Sequence, residues 1–197
     1  MVKTHLADIS EFSKYEVNIE FTDQYDPEIL CGSGLPFVSV KDEIEANSTS
    51  EYGKKLKDIY DRRPYGAPLY VWESIRKSGR QIEYIGQTMS LMVSKRFSGH
   101  AKAMQVLSKY VNNNYIKIYF RLCSRLDISF YKGSLLRRVA IEHFPFDQAK
   151  KIVNDIEAYL IFKIKPFFNS QYKNKEKVYI KPFEIIRTNL IDIKQIE

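Results

Sequence analysis

The stretch from Asp147 to Pro166 constrains this chain most. It reads as an amphipathic helix capped at Asp147, with Ile152, Val153, Ile156 and Leu160 on its buried side, Tyr159 beside them, and an end imposed before Pro166. The elements upstream of it read as strands. Leu69-Tyr70-Val71-Trp72 is rich in aromatic and β-branched residues, a turn around Lys77-Ser78-Gly79-Arg80 follows, and Ile82-Glu83-Tyr84-Ile85 returns as a second strand closed by Gly86. Ser90 is placed to cap a helix running to about Tyr110, which Asn112-Asn113-Asn114 breaks. Tyr115 to Leu122 then alternates as a third strand.

The expected fold is therefore α/β: a small, central, mostly antiparallel sheet of three strands flanked by helices. Residues 1–65 read as an N-terminal extension of short elements, with a loop at Cys31 to Pro36, a polar connection from Ala46 to Gly53 and a short helix from Lys54 to Tyr60. Residues 66–170 form the core, with an insertion at about 124–146 in which Leu135 to Ile141 is read as helical. Residues 171–197 are a C-terminal extension with strand-like pieces at Val178–Ile180 and Phe183–Ile186.

Charge adds a statement about partners. Residues 1–53 carry eleven acidic side chains against three basic ones (Lys3, Lys14, Lys41), whereas residues 54–197 carry 28 basic against 13 acidic. A basic body suits a polyanion, because each neutralised phosphate releases counterions; a solvated basic surface is the plainer reading. The acidic segment either packs over that body or stands apart. Hydrophobic content of 44% and aromatic content of 14% argue for a folded chain rather than a disordered tail. No run is long and apolar enough to span a bilayer, and the acid-rich start lacks the basic-then-apolar pattern of a signal peptide, so a cytoplasmic, reducing setting is expected. Cys31 and Cys123 match no metal or redox spacing and are expected as buried thiols, and the Asn47-Ser48-Thr49 sequon carries little weight in that setting.

The chemistry lies in residues 68–170. Pro68-Leu69-Tyr70 followed by Tyr84-Ile85-Gly86 resembles the paired motifs of the GIY-YIG nucleases, the second tripeptide letter for letter and the first in its tyrosine. Arg96 and His100 follow, four residues apart and so on one helix face. Glu157 lies within Asp155-Ile156-Glu157-Ala158-Tyr159-Leu160-Ile161, and Asn169 within Pro166-Phe167-Phe168-Asn169. Family members show such an arginine, glutamate and asparagine in that order.

The resemblance implies a catalytic set of Tyr70, Tyr84, Arg96, His100, Glu157 and Asn169. Arg96 would fork onto phosphate oxygens, and Glu157 would hold one Mg²⁺ (or Mn²⁺) that keeps several waters. No dense carboxylate cluster occurs in the core, which argues against two metals. Tyr70 would accept the proton of the attacking water, with His100 taking that proton on or orienting the phenol. Tyr84 would hydrogen-bond nucleophile or phosphate, Gly86 would allow close backbone approach, and Asn169 would orient Glu157 or Tyr70. Two departures stand out: Pro68 replaces the first glycine, and Gln87-Thr88 replaces a lysine common after the second motif, which shifts the proton-transfer burden to His100.

Each residue taken alone has a blander reading. Tyr70 and Tyr84 would be half-buried strand tyrosines among fourteen, Arg96 a surface charge, and His100 a helix histidine, as His5 and His143 are taken to be structural or exposed. Glu157 is the informative one, an acid in an apolar run that needs a partner or a metal. Lys95 and Lys102 flank the catalytic helix and would touch phosphate or solvent. Phe130, Tyr131, Lys132, Arg137 and Arg138 make the insertion aromatic and basic, so it either reaches DNA or packs behind the sheet.

The expected function is a divalent-metal-dependent DNA endonuclease, with a restriction-type enzyme as the expected subtype, working as a homodimer when both strands are cut. The alternatives are a catalytically silent nucleic-acid-binding protein on the same scaffold, and a toxin or repair nuclease acting on RNA or damaged DNA.

Overall fold

The computed structural model describes residues 7–22, 67–89, 101–110 and 116–190. In chain order it contains β1 (Tyr15–Phe21), β2 (Leu69–Arg76), β3 (Gly79–Gln87), α1 (Ala101–Tyr110), β4 (Lys117–Lys132), β5 (Leu135–Ala140), α2 (Phe146–Ile164) and β6 (Phe183–Thr188). The strands form one mixed six-stranded sheet in the order β3-β2-β4-β1-β6, with β5 also paired to β4, and the sheet curls into a half-barrel. All pairings are antiparallel except that of β1 with β6.

This overturns the expected three-stranded sheet flanked by helices. The cause lies in β4, which runs for 16 residues instead of stopping near Leu122. Its first part pairs with β2 (Tyr70 opposite Leu122), and its second part pairs with β1 (Val17 opposite Ile128). Residues 124–132, expected within an insertion, thus continue β4. Leu135 to Ala140 is β5 and not helix, because Gly133 (φ 63°) accepts the left-handed backbone that folds the chain straight back, Lys132 opposite Leu135. Both extensions also contribute: β1 comes from the N-terminal one and β6 from the C-terminal one. Lys54 to Tyr60 lies outside the described residues.

Two bulges decide which face each side chain takes. Phe21 pairs with Cys123 and Glu20 with Arg125, so Ser124 is an additional residue. Arg121 and Cys123 therefore share an inner face with Leu126, Ile128 and Phe130. On the hairpin, Trp72 pairs with Tyr84 and Glu73 with Ile82, leaving Glu83 as the additional residue. Glu83 and Tyr84 consequently point to the same side.

The inner face packs against α2, whose Ile152, Val153, Ile156 and Leu160 are completely buried. Each such side chain contributes about 1.5–3 kcal/mol relative to exposure. Pro145 occupies the N-cap, with Asp147 inside the first turn, and Lys165 ends the helix in the left-handed region (φ 53°) before Pro166. The outer face carries a second core of Tyr70, Trp72, Phe120 and Leu122 beneath Val106 of α1. Among the described residues no helix is long and apolar enough to cross a membrane.

Candidate active site

The site is built around the second half of β3. Trp72 lies opposite Tyr84 and Tyr70 opposite Gly86, so residues of matching register bring both motif tyrosines to the outer face. Their ring centroids are 6.0 Å apart, and Tyr70 also lies 6.0 Å from Phe120. Tyr70 is completely buried and Tyr84 half-buried, so Tyr84 is the more open of the two phenols. Gly86 makes the packing possible. A Cβ there would lie 2.5 Å from Tyr70 Cζ and 2.8 Å from Tyr84 Cε1, with the Tyr70 hydroxyl nearer still. The glycine is needed for space: the Tyr70 phenol rests directly on its backbone.

Asn169 holds the same strand from its outer edge. The Ile85 N–H donates to Asn169 Oδ1 (2.9 Å), and Asn169 Nδ2 donates to the Ile85 carbonyl (2.8 Å). The Phe168 N–H donates to the Glu83 carbonyl at 3.0 Å. The Phe168-Asn169 segment therefore satisfies backbone groups that an edge strand leaves open. Asn169 thus holds the Tyr84-Ile85-Gly86 backbone through its side-chain amide.

Glu157 sits on α2, three residues beyond Asn154 and so on the same side of the helix, about 4.5 Å along its axis. Asn154 Oδ1 accepts a hydrogen bond from Gln87 Nε2, which ties this side of α2 to the end of the second motif. Glu157 is half-buried. The acid driven fully into the core is its neighbour Asp155, whose carboxylate accepts from Lys177 Nζ and from the Ile180 N–H, both at 2.7 Å. Sequence reasoning assigned the buried-acid argument to Glu157; two positions along the helix decide which carboxylate it applies to.

Sequence reasoning also missed Glu83. The bulge turns its side chain to the outer face, where Glu83 Oε1 accepts from Ser74 Oγ (2.6 Å), Arg76 Nη2 (2.7 Å) and Tyr110 Oη (2.7 Å). This buried carboxylate joins the hairpin to the end of α1. Burial, followed by the bond to Glu83, pushes the Tyr110 phenol up to about 12 and keeps it a proton donor. The only signal in the sequence was an acid interrupting the apolar alternation of Ile82 to Ile85.

Other predicted residues are placed elsewhere. Arg96, His100 and Lys95 lie outside the described residues. Lys102 donates to Gln105 on the surface of α1 at 3.1 Å. Arg138 is held by Asp127, which Arg125 also contacts, and Arg137 is exposed on β5. These two arginines pair with Phe130 and Ser129 of β4, seven or eight residues beyond the partner of Tyr70, roughly 25 Å along an extended strand. The fold does not bring them to the tyrosines.

Comparison with protein-family models, with curated proteins and with solved structures gives no match. The function is therefore argued from these residues. Among the described residues no three His, Cys, Asp or Glu side chains converge. A divalent ion held here by Glu157 would complete its shell with water and substrate oxygens, as Mg²⁺ does.

Proposed function

We propose that this chain is a divalent-metal-dependent endonuclease of the GIY-YIG type that hydrolyses DNA phosphodiester bonds. The observation that carries the reading is the Tyr70–Gly86–Tyr84 packing, with Asn169 clamped onto the intervening Ile85. Four residues of the sequence pattern, 85 positions apart at the extremes of the second motif and the asparagine, thereby act on one short strand. Tyr70 takes the proton of the attacking water, its phenol lying against Gly86 beside the half-buried Tyr84. Tyr84 holds the nucleophile or a phosphate oxygen. Arg96 clamps the phosphate and His100 accepts or steers the tyrosine proton. Glu157 is the ligand for Mg²⁺ or Mn²⁺, which when bound stabilises charge developing on the phosphate. A restriction-type role would use a two-fold homodimer to cut both strands. A reducing, cytoplasmic setting belongs to the same reading.

The test is incubation of purified protein with supercoiled DNA and Mg²⁺ or Mn²⁺, beside Glu157→Gln. Metal-dependent nicking that the variant loses supports the reading. If both proteins bind nucleic acid and neither cuts DNA or RNA, the chain is a silent binding scaffold instead. Cutting of RNA alone would move the substrate and leave the chemistry.

A further inference from the structure

The segment that clamps β3 also presents an unusual surface. Phe167, immediately before Phe168-Asn169, is 58% exposed. The Lys109 ammonium at the end of α1 lies 3.4 Å from the centroid of its ring, with Tyr110 and Phe168 at 5.0 and 5.2 Å. A second ammonium, Lys173, lies 6.0 Å from the Phe167 centroid and 3.4 Å from its carbonyl oxygen. Nearby Arg76 is neutralised by Glu83, but neither lysine forms an ion pair with a carboxylate among the described residues. Ring faces and a carbonyl dipole hold two ammonium groups around one phenylalanine, and a phosphate would offset both charges.

We infer that Lys109 and Lys173, straddling the exposed Phe167, form a clamp for the phosphodiester backbone of a nucleic-acid strand. The inference rests on the nuclease reading for its purpose, because the clamp is bolted to the strand that carries Tyr84. Phe168 bonds to Glu83 and Asn169 to Ile85, so a phosphate held here lies beside the second motif. Exposed aromatic surface between cations suits a strand whose bases can lie against it.

The test is oligonucleotide binding by the full chain in chelator, followed by fluorescence anisotropy across a salt series. Wild type is compared with Lys109→Ala/Lys173→Ala, with the arginine pair Lys109→Arg/Lys173→Arg, and with Lys150→Ala/Lys151→Ala, which removes equal charge from the first half of α2. Loss of two phosphate contacts makes the slope of log K against log salt shallower by about 1.4–1.8. That change is expected in the first variant, with arginine restoring the slope and the control leaving it unaltered. An unaltered slope in the first variant, an equal change in the control, or no binding by wild type overturns the clamp. Cleavage is read separately with Mg²⁺. A wild type that cuts while the alanine pair keeps its full slope refutes the clamp alone. A slope lost in the variant beside a wild type that cuts nothing refutes the nuclease and keeps the clamp.

Discussion

Replacing Gly86 by alanine probes the candidate site with a single methyl group. The new Cβ would lie 2.5 Å from Tyr70 Cζ and 2.8 Å from Tyr84 Cε1, whereas carbon atoms rest at about 3.5–4.0 Å. The rings must therefore retreat by about 1 Å. Tyr70 has little room, since it is fully buried against Phe120, which itself packs 5.2 Å from Trp72. Overpacking of this kind costs about 1–3 kcal/mol. At the sensitivity of a chain this size, that lowers Tm by roughly 2–12 °C. A displacement of about 1 Å at a reacting group also costs on the order of 10²-fold in rate. Urea denaturation measures the first effect, and single-turnover DNA cleavage under conditions where the variant is folded measures the second. Tyr70→Phe in the Gly86→Ala background relieves the hydroxyl clash and leaves the Cζ clash, so stability recovers only in part. A variant with the wild-type urea midpoint would show that the tyrosine does not rest on Gly86. A destabilised variant that cuts at full rate would show that the two phenols take no part in the chemistry.

Asn169→Ala leaves the buried Ile85 N–H and carbonyl without their partners, and an expected loss of about 2–4 kcal/mol is read from urea denaturation. Asp155→Ala strands Lys177 and the Ile180 N–H; about 3 kcal/mol is expected to disappear, and wild-type stability would show that the ion pair is not formed in solution. The Tyr110 phenol holds its proton to about pH 12 in the folded chain against 10 when free, so the folded state binds more protons between those values. Its stabilising effect is complete below pH 10 and is lost as pH rises towards 12, and the decline measured by urea midpoints should be shallower in Tyr110→Phe.

Local pattern made a good part of this protein legible. The turn at Lys77-Ser78 and the span of α2 up to Pro166 follow from turn chemistry, periodicity and a missing N–H, all contained within a few residues. The tyrosines could be named because the hairpin that aligns them is local too. What tertiary structure alone decided is non-local. Phe21 is bonded to Asn189 across 168 positions, and β1 enters the sheet only when a continuous β4 offers it an edge, with β6 pairing in turn on β1. Leu135-Leu-Arg-Arg-Val-Ala has no periodicity that separates strand from helix, and its pairing with β4 settles the matter. The bulge that turns Glu83 beside Tyr84, the choice of Asp155 over Glu157 as the buried acid, and the attachment of Asn169 to Ile85 all depend on which partner arrives from elsewhere in the chain. By itself the sequence determined the residue types a phosphodiesterase would need and the short elements that carry them. Packing decided which of those residues share a face, because a one-residue shift in a strand reverses every side chain beyond it.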